Sequence, residues 1–423
     1  MFKKFKSLWS SEYLRNVLTL SSGTMMAQLI SVITAPVLYR IYDNEDYGSL
    51  GLFIASAGVV GVFSTLQLTQ PILLEKKEND ALAMFDVVKR INWVVALVVL
   101  IMTIGFIEVF PKTVDKYHLY PWLYLLPLSI YFSGQNQILR TWANRVKAYR
   151  ILMVNTILTA LLVPIFSISI GLIKNGPLGL FVGLLISQIV PPIIMYFKLN
   201  NTYDLYSKNI SIHGNLTKFF KRHVNFPKYA MPAELLSTVS HQLPVFMLGA
   251  FSGVGTVGLY NLANRMLGLP STILSSSVGE VYRQKATEAF HKKGHMTSLF
   301  YRTMTGLALV ALPVFIAVIL FGPDLFAFVF GENWRASGQI SRILAVVFML
   351  RFVNSPLSYV IYIRSKQHID LLAGIWFLIS SFLVFYFMFR MGYDYMQVLT
   401  GFAINFTFLY SILIWYNYKL SVK

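Results

Sequence analysis

The chain has 423 residues, of which 56% are hydrophobic and only 13% charged, and it carries a net charge of +18 and no cysteine. That much apolar surface exceeds what a water-soluble chain of this length buries, so an ordinary globular domain is excluded. The lack of cysteine excludes disulfides, thiolate chemistry and cysteine-ligated metals. The positive charge sits in short segments between apolar runs, a topological signal rather than a nucleic-acid footprint.

The N-terminus, Met1-Phe-Lys-Lys-Phe-Lys6, leads into an apolar run at 14–39. That run is too long for the apolar region of a signal peptide and has no small-residue cleavage site, so it reads as a first membrane span. Runs of ~20 apolar residues, each long enough to cross the hydrocarbon core as a helix, follow at 48–71, 88–110, 120–140, 150–173 and 177–197. A polar stretch at 198–228 interrupts them. Further runs lie at 229–251, 255–279, 303–323, 338–362, 369–390 and 395–418.

The connections alternate in charge. On one side lie Lys3, Lys4, Lys6 and Arg15, then Lys76, Lys77, Lys89 and Arg90, then Arg140, Arg145, Lys147 and Arg150. The central stretch continues this side with Lys198, Lys208, Lys218, Lys221, Arg222 and Lys228. Arg283, Lys285, Lys292, Lys293 and Arg302 come next, then Arg364 and Lys366, then Lys419 and Lys423. The other side carries Arg40, Lys112, Lys116, Lys174, Arg335, Arg342 and Arg390. The positive-inside rule puts the richer side, and with it both termini, in the cytoplasm. The expected fold is an all-α integral membrane protein of about twelve transmembrane helices in two six-helix bundles, 1–200 and 229–423, joined by a cytoplasmic linker at 201–228.

The halves resemble each other weakly. Ala35-Pro-Val precedes Gly48-Ser-Leu-Gly-Leu-Phe53, and Leu243-Pro-Val precedes Gly255-Thr-Val-Gly-Leu-Tyr260. Arg145-Val-Lys-Ala-Tyr149 matches Arg364-Ser-Lys-Gln-His368. With an even number of spans per half, the repeat is parallel, with a pseudo-two-fold axis along the membrane normal. Such pairs suit alternating access.

An ionisable side chain at membrane depth costs a few kcal/mol and marks a cavity or a partner. Glu234 and His241 lie seven residues apart, on one face of the seventh span. Arg265 lies inside the eighth span, Arg351 near the middle of the tenth, and Arg40 at the outer end of the first. Gln67 and Gln70 close the second span, Gln135-Asn136-Gln137 sits in the fourth, and Asn354 in the tenth. A cationic cavity for an anionic, hydrogen-bonding substrate is one reading, since arginine holds its charge at any pH and grips phosphate bidentately. Internal pairing of Glu234 or His241 with Arg265, and snorkelling of Arg40 to the interface, are the other. No Walker lysine loop and no metal-ligand spacing occur, so neither a catalytic residue nor a metal nor a cofactor is expected.

Several stretches in order carry a family likeness: Asn16-Val-Leu-Thr-Leu-Ser-Ser-Gly-Thr24, Pro36-Val-Leu-Tyr-Arg40 with Asp46-Tyr-Gly48, and Pro71-Ile-Leu-Leu-Glu75. Gly258-Leu-Tyr-Asn-Leu-Ala263 follows, then Phe330-Gly-Glu-Asn-Trp-Arg-Ala336 and Arg351-Phe-Val-Asn-Ser-Pro-Leu357. Over nearly its full length the chain resembles Wzx-type O-antigen flippases of the multidrug/oligosaccharidyl-lipid/polysaccharide exporter superfamily. The resemblance implies an undecaprenyl-diphosphate-linked oligosaccharide carried from the cytoplasmic to the outer leaflet of the inner membrane. It implies coupling to a proton or sodium gradient, and contact with polysaccharide polymerase or ligase machinery. On it, Arg265, Arg351, Arg40, Asn354 and Gln67 are the expected substrate-binding residues, and Glu234 and His241 the ion-coupling pair. Two rivals remain: a multidrug antiporter of the same superfamily, and a membrane glycan polymerase or ligase. Buried arginines argue against the first and short outer loops against the second.

Overall fold

The computed structural model describes residues 12–203, 222–271 and 276–422. The basic N-terminus and most of the expected linker, 204–221, lie outside these residues. The helices are α1 (Glu12–Ile41), α2 (Asn44–Gly61), α3 (Thr69–Leu74), α4 (Glu78–Val109), α5 (Pro111–Lys116), α6 (Leu126–Arg145), α7 (Tyr149–Gly171) and α8 (Leu178–Tyr203). After the linker come α9 (Met231–Ser252), α10 (Val254–Pro270), α11 (Ser276–Lys293), α12 (Thr297–Phe330), α13 (Arg335–Leu357), α14 (Tyr359–Ile363), α15 (His368–Arg390) and α16 (Tyr395–Val422). No strand occurs among the described residues. The chain is an all-α, multi-pass membrane protein. It divides into two compact units, unit 1 up to Thr238 and unit 2 from Val239.

Nine segments among the described residues are long and apolar enough to cross a membrane. Three expected spans fall outside that set, α6, α9 and α10, and their sequences say why. The first carries Ser133, Gln135, Asn136, Gln137, Arg140, Thr141 and Asn144. The second carries Glu234, Ser237, Thr238, Ser240, His241 and Gln242. The third, at 17 residues, is too short for that set, and it also carries Asn261, Asn264 and Arg265. Helices this polar need water or protein, rather than lipid, along part of their surface.

Two expected boundaries change. The second span, expected as one helix over 48–71, stops at Gly61, passes through a 3-10 turn at Val62–Ser64 and restarts as α3. Leu66 (φ 49°) and Gln67 (φ 57°) sit in the left-handed region between them, which side chains with a Cβ seldom adopt. The break lets Leu68 and Ile72, both fully buried, enter the core of unit 1. The polar segment after the eighth span, expected as a loop, is the amphipathic helix α11. Tyr282 and Ala286 face inward on it, while Arg283, Gln284 and Lys285 are exposed.

The core of unit 1 joins α3, α4, α6 and α8 around Trp142, whose ring lies 5.4 Å from that of Phe85. Gly134 of α6 lets α4 approach closely. A Cβ there would stand 2.7 Å from Cγ of Asn92, and Asn92 Nδ2 donates to the carbonyl of Tyr131 at 2.9 Å. In unit 2 the motif Phe330–Ala336 makes a chain reversal. Gly331 takes φ 108°, Trp334 is buried, and Arg335 binds Asp324 at 2.6 Å and also Glu332. Gly338 then packs α13 onto α12 so closely that a Cβ would lie 2.6 Å from Cα of Pro323.

The internal repeat has a structural core. In unit 1, α6 ends with Lys147 at φ 57°, the N–H of Ala148 donating to Ala143 and that of Lys147 to Asn144. In unit 2, Ser365 takes φ 54°, the N–H of Lys366 donates to Ile361 and that of Ser365 to Tyr362. Both are Schellman caps. The caps align Lys147 with Ser365, one residue away from the register of the sequence match. A nearby arginine then docks each turn: Arg145 Nη1 donates to the carbonyl of Ile72 at 2.7 Å, and Arg364 Nε to that of Leu420 at 2.9 Å.

Candidate substrate-binding site

In unit 2, Arg351 is exposed on α13 although it lies within an apolar segment of membrane-spanning length. Its guanidinium carbon stands 5.8 Å from the ring centre of Phe348, one turn back. Among the described residues no carboxylate pairs with it. Arg265 is likewise exposed and free of ion pairs among the described residues, on α10, which packs on α13. A fixed cation against an aromatic face and without a carboxylate partner suits an anionic ligand.

The other expected residues are scattered. Asn354 is 7% exposed, and its Oδ1 accepts from Asn417 Nδ2 of α16 at 3.0 Å, so its side chain bridges two helices. His241 and Glu234 are both exposed on α9, and Glu234 forms no ion pair among the described residues. Arg40 is exposed in the last turn of α1. Gln67 is half-buried in the left-handed break after α2.

Unit 1 holds a cavity of 460 Å³ that the residue-by-residue reading did not assemble. One wall is a polar stripe on α6: Ser133, Asn136, Gln137, Arg140, Thr141 and Asn144. Their spacing of three and four residues puts them on one face of a helix. The opposite face, with Ile138, Leu139, Trp142 and Ala143, is buried in the core of unit 1. Gln70 of α3 completes the polar lining, and three leucines, Leu20, Leu73 and Leu152, supply the apolar remainder. Gln70, not Gln67, reaches this cavity. Consecutive polar residues at 135–137 drew attention to α6, but only the longer period from 133 to 144 reveals the stripe.

Arg140 is the charged group of this cavity. Its Nη1 donates to Thr156 Oγ1 at 3.1 Å and Asn155 Oδ1 at 3.4 Å, both on α7. No carboxylate pairs with it among the described residues, and its Nε and Nη2 form no further hydrogen bond there. Asn136 Oδ1 is buried without a hydrogen-bond partner. At the C-terminal end of α3, Glu75 is buried and held by His223 Nε2 at 2.7 Å and Arg222 Nη1 at 3.4 Å.

A family model described as polysaccharide biosynthesis protein matches residues 37–339. Teichuronic acid biosynthesis protein TuaB of Bacillus subtilis (strain 168) is 26% identical over 150 residues, 34% of this chain and 30% of that protein. Lipopolysaccharide biosynthesis protein WzxC of Escherichia coli (strain K12) is 19% identical over 345 residues, 81% of this chain and 68% of that one. The chain thus spans less than a third of the first relative and about two thirds of the second. Among solved structures, Lipid II flippase MurJ superposes with a TM-score of 0.73 at 15% identity, covering 95% of this chain and 87% of the other. At that identity the likeness establishes a shared fold.

Proposed function

This chain belongs to the polysaccharide biosynthesis protein family, and from that premise we propose that it flips a lipid-linked oligosaccharide across the membrane. The cargo is an undecaprenyl-diphosphate-linked repeat unit, taken from the cytoplasmic to the outer leaflet of the inner membrane by alternating access, with both termini in the cytoplasm. The protein acts as a transporter and not as an enzyme, and hands its product to polymerase or ligase machinery. Relatives named for teichuronic acid and lipopolysaccharide biosynthesis, and a shared fold with a protein named as a lipid flippase, support this reading.

The observation that carries it is Arg351. A guanidinium on a membrane-spanning helix, exposed and without a carboxylate partner among the described residues, costs a few kcal/mol in lipid. Facing an aqueous path, it lowers the barrier for a diphosphate instead. Arg265 plays the same part on α10. The lipid tail stays in the bilayer while the head group passes. Arg40 serves at the outer rim and Gln67 on the polar path, while Asn354, bonded to Asn417, holds α13 to α16. Glu234 and His241, on one face of α9, supply the coupling site for a proton or sodium ion.

The test is a deletion strain complemented with wild type, Arg351→Ala or Arg265→Ala, with lipid-linked oligosaccharide measured in each leaflet. The expected result is accumulation in the cytoplasmic leaflet for the deletion and both variants, with normal membrane insertion. Normal export in both variants overturns the role of the arginines. Accumulation of single repeat units outside the deletion strain points to a polymerase or ligase, and unchanged pools point to a small-molecule antiporter.

A further inference from the structure

We propose that the unit 1 cavity is a second binding site, for the sugar phosphate next to the lipid. It rests on the flippase reading and names where the head group first docks.

Three observations converge. First, the charge is cationic and uncompensated: Arg140 has no carboxylate partner among the described residues, and both its hydrogen bonds leave from Nη1. Nε and Nη2 remain as the two-donor edge that matches a phosphate. Asn155 and Thr156 hold the other edge, so the guanidinium plane is fixed before ligand arrives, which lowers the entropic cost of binding.

Second, the rest of the lining is rich in carboxamides. Gln70, Asn136, Gln137 and Asn144 surround the guanidinium. A carboxamide both donates and accepts, as does a sugar hydroxyl, so neighbouring amides match neighbouring hydroxyls. Gln137 accepts from Thr65 through Oε1 at 3.4 Å, and Gln137, Gln70 and Asn144 are exposed, so their amides are accessible to a ligand's hydroxyls.

Third, the size fits. At 460 Å³ the cavity falls within the ~300–1,000 Å³ of small-ligand sites and has room for a hexose and its phosphate. No acidic residue lines it, which disfavours a cationic drug. Its place near the Arg145–Tyr149 turn puts it at the end of α6 that faces the cytoplasm on the charge rule, the leaflet where cargo is loaded.

The experiment uses the full-length protein in lipid nanodiscs, with farnesyl diphosphate and farnesyl diphosphoryl-N-acetylglucosamine as probes. Arg140→Gln is expected to weaken both probes roughly tenfold or more, the loss for a hydrogen-bonded charge. Asn144→Leu, an exposed position, is expected to weaken only the sugar-bearing probe. Thermal unfolding is measured alongside, because Arg140 also ties α6 to α7. The proposal is overturned if the wild type binds neither probe, or if Asn144→Leu and a stably folded Arg140→Gln bind both like wild type. If Arg140→Gln does not fold, Asn144→Leu and Gln70→Leu decide alone. Leaflet assays on the same variants separate the two ideas. Transport by the wild type that both Arg140→Gln and Asn144→Leu preserve sinks this site and leaves the flippase reading intact. A wild type that moves no lipid-linked oligosaccharide sinks the reading itself.

Discussion

Replacing Glu75 with alanine should release the end of the central linker, Arg222 and His223, from the end of α3. The Glu75 side chain is 3% exposed, with His223 Nε2 at 2.7 Å and Arg222 Nη1 at 3.4 Å. A hydrogen bond to a buried charged group contributes about 1.5–3 kcal/mol. The Arg222 side chain is 62% exposed, so solvent screens its ion pair, which adds about 0–1 kcal/mol. The expected loss is therefore about 1.5–4 kcal/mol, which raises the detached population by roughly 10- to 700-fold. Trypsin reports it directly: cleavage between Arg222 and His223 needs the segment to leave its seat, and its rate follows the detached population when reclosing is fast. Glu75→Gln keeps the shape and a neutral hydrogen bond to His223, so its cleavage rate should fall between those of alanine and wild type. Cleavage of Glu75→Ala at the wild-type rate would refute the clamp and the placement of His223 against α3.

Three further outcomes follow from the geometry. Gly338→Ala should destabilise unit 2 by about 1–3 kcal/mol, because the backbone of α12 must move to admit the methyl group; thermal unfolding in detergent measures it. Asn417→Leu strands the buried Oδ1 of Asn354 and should cost about 1 kcal/mol, while the double substitution with Asn354→Leu recovers part of it and keeps transport; loss of transport in a stable double variant would instead assign Asn354 to the substrate. Glu234→Gln should change the dependence of transport on pH or sodium, and an unchanged ion dependence in vesicles clears Glu234 of coupling.

Much of the fold was legible because a bilayer makes composition geometrical. Helix length follows from bilayer thickness and topology from loop charge. The helices α1, α4, α7, α8, α15 and α16 accordingly stand where the apolar runs put them. The broken end of the second span was not legible, since an apolar run does not record that Leu66 and Gln67 turn left-handed. Nor was α11, whose polar residues read as loop until Tyr282 and Ala286 found a surface to bury against.

The candidate site divides the same way. Sequence alone picked out Arg265 and Arg351, because an arginine in an apolar run is costly wherever its helix packs. It could not separate Asn354, which bonds Asn417, from residues that face open space, nor choose Gln70 over Gln67. Arg140 looked like one more basic residue at a span end, and Glu75 only like the last residue of a family stretch. Only the tertiary structure turned Arg140 onto a stripe of carboxamides and closed Arg222 and His223 over Glu75. The cost of placing a group in the membrane depends on one residue and its depth, which a sequence contains. The direction a side chain faces depends on which helices pack against it, and that is settled by contacts between residues far apart in the chain.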